Sequence, residues 1–103
     1  MSNINIIATL HTSAFSKESV RTAMKTVESL SRLEDGCIKY DLYEISEEFK
    51  GLPSTGGDFL VIETWKDQES LDRHAKSEHF LNLVSKFNEE ELKITVKIIN
   101  KLK

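Results

Sequence analysis

The hydrophobic pattern is plainest between Phe59 and Trp65, where Phe59, Val61, Glu63 and Trp65 on one side interleave with Leu60, Ile62 and Thr64 on the other. A period of two with apolar residues on both sides predicts a strand buried on both faces. Glu63 breaks that pattern. A carboxylate between Val61 and Trp65 needs an ion-pair partner, for which Lys66, Arg73 and Lys39 are candidates, or else has its pKa raised by desolvation. Asp67 then suits a helix N-cap, with Glu69 in the first turn near the positive end of the helix dipole. Leu71, His74 and Ala75 share one helical face, so His74 is aimed inward.

The same alternation marks a first strand, where Ile4, Ile6, Ala8 and Leu10 interleave with Asn5, Ile7, Thr9 and His11. After Ser13 or Ser16 as N-cap, Val20, Ala23, Met24, Val27, Leu30 and Leu33 recur at three- and four-residue steps. An amphipathic helix from Lys17 to Leu33 follows. Gly36, free to take positive φ, ends it. A second strand runs from Cys37 to Ile45, with Ile38, Tyr40 and Leu42 on one face. Residues 47–58, with Pro53 and three glycines, form a long connection between neighbouring strands. Ser77 restarts the second helix, and Phe80, Leu83, Val84 and Phe87 make its apolar stripe. Leu92, Ile94, Val96 and Ile98 alternate with Lys93, Thr95 and Lys97 in a last strand with one wet face.

The order β-α-β-β-α-β predicts a ferredoxin-like α+β fold: a four-stranded antiparallel sheet with both helices on one face. Apolar residues on the other face of strands one and three predict a covering sheet there, most simply from a twin subunit. The 103 residues make one domain, 1–103, small enough to gain from forming a homodimer. No apolar run reaches the roughly 18 residues a membrane span needs. No basic segment precedes the first apolar run, and Cys37 stands alone, so a cytoplasmic location is expected.

A net charge of −3 disfavours a phosphate-backbone partner. The element order is also that of an RNA-recognition motif, but the third strand lacks that motif's basic opening and second aromatic. No metal site is expected, because His74 and His79 lack i, i+4 spacing and His11 lies on another element. There is no glycine-rich phosphate loop, G-x-S-x-G or C-x-x-C.

Glu34-Asp35-Gly36-Cys37 followed by Tyr40, then Phe59 and Glu63-x-Trp65 with Asp67, then Leu71-x-x-His74 and Ser77-x-His79-Phe80, resemble the antibiotic biosynthesis monooxygenase family. These are small dimeric α+β barrels that include quinol monooxygenases. The motifs cover the middle half of the chain, and the element order covers the rest. The resemblance implies a pocket between sheet and second helix, and oxygenation of aromatic or quinol-type compounds by dioxygen with no flavin, haem or metal cofactor.

Such chemistry needs only a base in an apolar pocket, since a deprotonated phenol or hydroquinone can itself give electrons to dioxygen. Imidazole, with an unperturbed pKa of about 6.5, is the natural base. His74 is assigned that role, with Glu63 orienting it or raising its basicity. Trp65, Tyr40 and Phe59 are expected as aromatic walls for the substrate. His79 is the weaker candidate: five residues past His74 it points away on a continuous helix, and a break near Ser77 would bring it back.

The haem-degrading branch of the superfamily needs an Asn where Ala8 stands and a His where Val84 stands, so haem cleavage is rejected. A likeness around His74 and His79 to the enzyme acting on phosphorylated autoinducer-2 keeps an isomerase of small carbonyl compounds as an alternative. A non-catalytic ligand-binding stress module is another.

Overall fold

A computed structural model describes residues 3–103. The strands are β1 (Ile4–Thr12), β2 (Cys37–Glu44), β3 (Phe59–Trp65) and β4 (Leu92–Ile99). The helices are α1 (Lys17–Ser31), α2 (Gln68–Ala75) and α3 (Glu78–Lys86). The strands pair antiparallel in the order β2-β3-β1-β4, the ferredoxin-like arrangement, with the predicted second helix split into α2 and α3. Among the described residues no helix is long and apolar enough to cross a membrane.

The helix-facing side of the sheet is built by register. Ile6 stands opposite Glu63 and Ile98, Ala8 opposite Val61 and Val96, and Leu10 opposite Phe59 and Ile94. Of these, Ile6, Ala8, Leu10, Phe59 and Val61 pack with Val20, Met24 and Val27 of α1 and Leu83 of α3 into the core. Burying such side chains contributes roughly 1.5–3 kcal/mol each, which is why the strand periodicity is so clean. The opposite face, with Ile7, Leu60 and Ile62, is only half-buried, and Tyr43 on it is exposed.

Several local expectations are corrected. Ile38 does not share a face with Tyr40 and Leu42: a bulge between Cys37 and Lys39 adds one residue to β2 and turns Ile38 outward, 56% exposed. Ser16 occupies the N-cap position of α1 but makes no capping bond. Its hydroxyl instead donates to the Glu91 carbonyl at 2.6 Å, tying the helix start to the turn before β4. Helix α1 ends at Ser31, two residues before Leu33, and Leu33 is exposed. On α3, Leu83 is buried but Val84 is exposed, so the apolar stripe is narrower than predicted.

The helices pack mainly over β2 and β3, leaving the inner face of the edge strand β4 thinly covered. Val96 and Ile98, although on the inner face, are consequently exposed.

Candidate functional site

Three chain reversals build the site. In the first, Asp67 caps α2 by accepting from the Ser70 amide at 2.8 Å and the Ser70 hydroxyl at 2.7 Å. In the second, Gly36 turns the chain out of α1 with φ of +87° and lies directly against the Ser70 side chain, where a Cβ has no room. That close approach sets Glu34, two residues earlier, beside the last turn of α2. In the third, Ser77 separates the two short helices: its hydroxyl donates to the His74 carbonyl at 2.7 Å and accepts from the Phe80 amide at 3.3 Å.

The result is a cluster around His74, which is 5% exposed. Its Nδ1 lies 2.7 Å from Glu34 Oε2, and His79 Nε2 lies 2.8 Å from the same oxygen. An ionised carboxylate can only accept, so both nitrogens carry protons toward it. In the neutral imidazole this leaves Nε2 of His74 as the lone-pair nitrogen. It has no hydrogen-bond partner among the described residues, yet it is not sealed from space. The imidazole stacks on Trp65 with centroids 4.6 Å apart and planes inclined by 35°. Tyr40 and Phe80 flank it at 5.6 and 5.3 Å.

Glu63, 6% exposed, accepts a 2.9 Å hydrogen bond from the Trp65 indole N–H. None of Lys66, Arg73 or Lys39 pairs with it: Arg73 bonds Asp35 and Glu69, and Lys39 bonds Asp41. Burial pushes its carboxyl above the ordinary range, partly offset by the indole and by His74. Glu63 therefore behaves as the desolvated alternative foresaw. Burial, with Glu63 nearby, also pushes the Tyr40 phenol upward, so it stays protonated.

A cavity of about 230 Å³ opens between sheet and helices. Its wall is almost wholly apolar: Ile6, Ala8, Leu10, Val61, Met24, Leu71, Ala75, Phe80, Leu83 and the β4 residues Ile94, Val96 and Ile98. Only Tyr40, Glu63 and His74 bring polar groups to it. Exposed Val96 and Ile98 mark its mouth.

The geometry redistributes the expected roles. His74, Glu63 and Tyr40 do share one cavity. Trp65, fully buried, stands behind His74 and Glu63 instead of on the wall, and Phe59 is likewise packed into the core. His79 is swung back by the break at Ser77, but onto Glu34 and away from the cavity. The carboxylate hydrogen-bonded to His74 is that of Glu34, 40 residues away in sequence. Nothing local in Glu34-Asp35-Gly36 signals this, because the motif is also an ordinary helix stop. Without i, i+4 spacing, Glu34, His74 and His79 nevertheless hold their potential ligand atoms within 4.8 Å of one another.

The antibiotic biosynthesis monooxygenase family model matches residues 4–86. Rv0793 of Mycobacterium tuberculosis is 30% identical over 81 residues, covering 79% of this chain and 72% of that protein. The crystal structure of PA3566 from Pseudomonas aeruginosa superposes with a TM-score of 0.83 at 28% identity, over 100% of this chain and 97% of that one. A solved antibiotic biosynthesis monooxygenase superposes with a TM-score of 0.76 at 25% identity, over 97% and 99% of the two chains. The chain belongs to the antibiotic biosynthesis monooxygenase family.

Proposed function

We propose that this protein is a cofactor-independent monooxygenase of a quinol-type or similarly electron-rich aromatic molecule, with His74 as the base. One observation carries the reading: His74, on the wall of an apolar cavity, has one ring nitrogen tied to a mostly buried carboxylate and no hydrogen-bond partner on the other among the described residues. Glu34 fixes the tautomer by accepting the Nδ1 proton, so Nε2 is free to take a proton from a phenolic hydroxyl. The resulting anion transfers electrons to dioxygen in a pocket that keeps water from the intermediate. For a hydroquinone with a free ring C–H, the balance is hydroquinone plus dioxygen to hydroxyquinone plus water. All four electrons that dioxygen needs come from the substrate.

Glu63 is the second polar group on the wall, and its role is to hold the substrate's other hydroxyl. Tyr40 and Phe80 are the aromatic surfaces that meet the ring, while Trp65 holds His74 and Glu63 in place from behind. The volume lies below the roughly 300–1,000 Å³ typical of drug-sized sites, which favours a compact substrate. The half-buried outer face of the sheet supports a homodimer, to be read by light scattering coupled to size exclusion.

Oxygen uptake with a panel of reduced naphthoquinones and anthrones tests the activity. Uptake lost in His74→Ala, with product mass raised by one oxygen atom from labelled dioxygen, supports the reading. A folded wild-type protein inert across the panel refutes it. Turnover of a small carbonyl compound under anaerobic conditions would favour the isomerase alternative instead.

A further inference from the structure

The cluster behind His74 offers more than an orienting bond. We propose that Glu34, His74 and His79 form a binding site for a divalent first-row transition-metal ion, on the side of the His74 ring away from the cavity. The three side chains come from three separate segments: the loop after α1, the last turn of α2 and the first turn of α3. Their ligand atoms lie within 4.8 Å of one another, with each imidazole nitrogen already 2.7 or 2.8 Å from the same carboxylate oxygen. Ligands about 2.0–2.1 Å from a shared ion sit roughly 2.9–3.4 Å apart, so Glu34 needs little movement toward either ring. The two imidazole rings need only close on each other. An ion would replace the two N–H protons that now point at Glu34.

The electrostatics point the same way. Glu34 makes ion pairs with no Lys or Arg among the described residues; both of its partners are imidazoles. Glu34 and Glu63 lie near enough to feel each other, which adds negative potential around His74. All three side chains are mostly buried, with 6%, 14% and 15% exposure for His74, His79 and Glu34. An uncompensated carboxylate so poorly solvated favours a cation. Two imidazoles with one carboxylate suit zinc, iron(II), nickel or copper, whereas calcium and magnesium prefer an all-oxygen shell. Three protein ligands leave a fourth position for water.

Coordination through Nδ1 shifts the His74 proton to Nε2. Given the reading of His74 as the base, which this consequence rests on, the metal-loaded protein presents a hydrogen-bond donor to the cavity where the free protein presents an acceptor.

The test titrates chelator-stripped protein with Zn²⁺ against a chromophoric competing chelator. Wild type is expected to bind one Zn²⁺ per chain. His79→Ala and Glu34→Gln are each expected to weaken binding by about 100-fold or more, while His11→Ala, on β1 outside the site, changes nothing. Because buried substitutions can cost stability, circular dichroism fixes the folded fraction. A parallel melting series should show Zn²⁺ raising the Tm of wild type but not of His79→Ala. Nitrogen-15 spectra of Zn²⁺-loaded wild type should place the His74 proton on Nε2. Absence of saturable binding to wild type, or wild-type affinity retained in both variants, overturns the site. None of these readouts involves oxygen uptake, so loss of this proposal and loss of the oxygenase reading are separately visible.

Discussion

Replacing Glu34 is the sharpest probe of the site. Its carboxylate accepts from His74 at 2.7 Å and from His79 at 2.8 Å, so Glu34→Ala removes the acceptor of both. A hydrogen bond to a charged group in such a setting contributes about 1.5–3 kcal/mol. At about 1.4 kcal/mol per decade, that is roughly a 10- to 150-fold loss in kcat/KM if the bond serves to fix the reactive tautomer. Glu34→Gln keeps an oxygen that can accept from both rings but loses the charge, so it should fall between wild type and Glu34→Ala. The assay is oxygen uptake with whichever quinol wild type turns over, run well below the melting range. Nitrogen-15 spectra of the imidazole rings report tautomer independently of turnover. Freed of Glu34, the His74 ring is expected to populate the Nε2–H tautomer. Should Glu34→Ala keep kcat/KM within twofold and leave the His74 tautomer unchanged, Glu34 has no part in the mechanism and the reasoning fails.

Other substitutions test the frame around this bond. Trp65→Phe removes the indole donor to Glu63 and shrinks a fully buried side chain, so urea unfolding should show a loss of about 2–4 kcal/mol. A change under 0.5 kcal/mol would show that the indole bond contributes little. Gly36→Ala imposes left-handed strain of roughly 1–2 kcal/mol and drives a methyl into Ser70. It should destabilise the fold and lengthen the Glu34–His74 contact, seen as a shift of the His74 ring signals; unaltered stability and spectra would contradict this. Glu63 gives a pH signature. Its folded-state pKa is raised by burial, so its contribution is fully present below the unfolded value of about 4.3 and is lost as pH rises through the folded value. Wild type should therefore lose stability relative to Glu63→Gln between pH 4 and neutrality, and parallel stability profiles would refute the raised value.

Much of the fold is written in short-range pattern. Alternation along β1 and β3 set their register because one face of each must leave water, and a slip of one residue would expose the inward side chains. Asp67 and Ser77 were legible as caps because each side chain satisfies the amide three residues on. Ile38 was misplaced because a bulge adds a residue without changing composition, and only the strand opposite reveals it.

For the site, the sequence by itself determined which residues bring polar groups to the cavity: an inward histidine, a carboxylate stranded among apolar neighbours and a phenol on the facing strand. It did so because burial of a polar group breaks a periodic pattern visible along the chain. The partners of those groups were decided only by tertiary structure. Glu34 reaches His74 across 40 residues because Gly36 packs on Ser70, and His79 joins them because the helix breaks at Ser77. Hydrogen bonds act over about 3 Å in space and are indifferent to separation along the chain, so no local pattern records them.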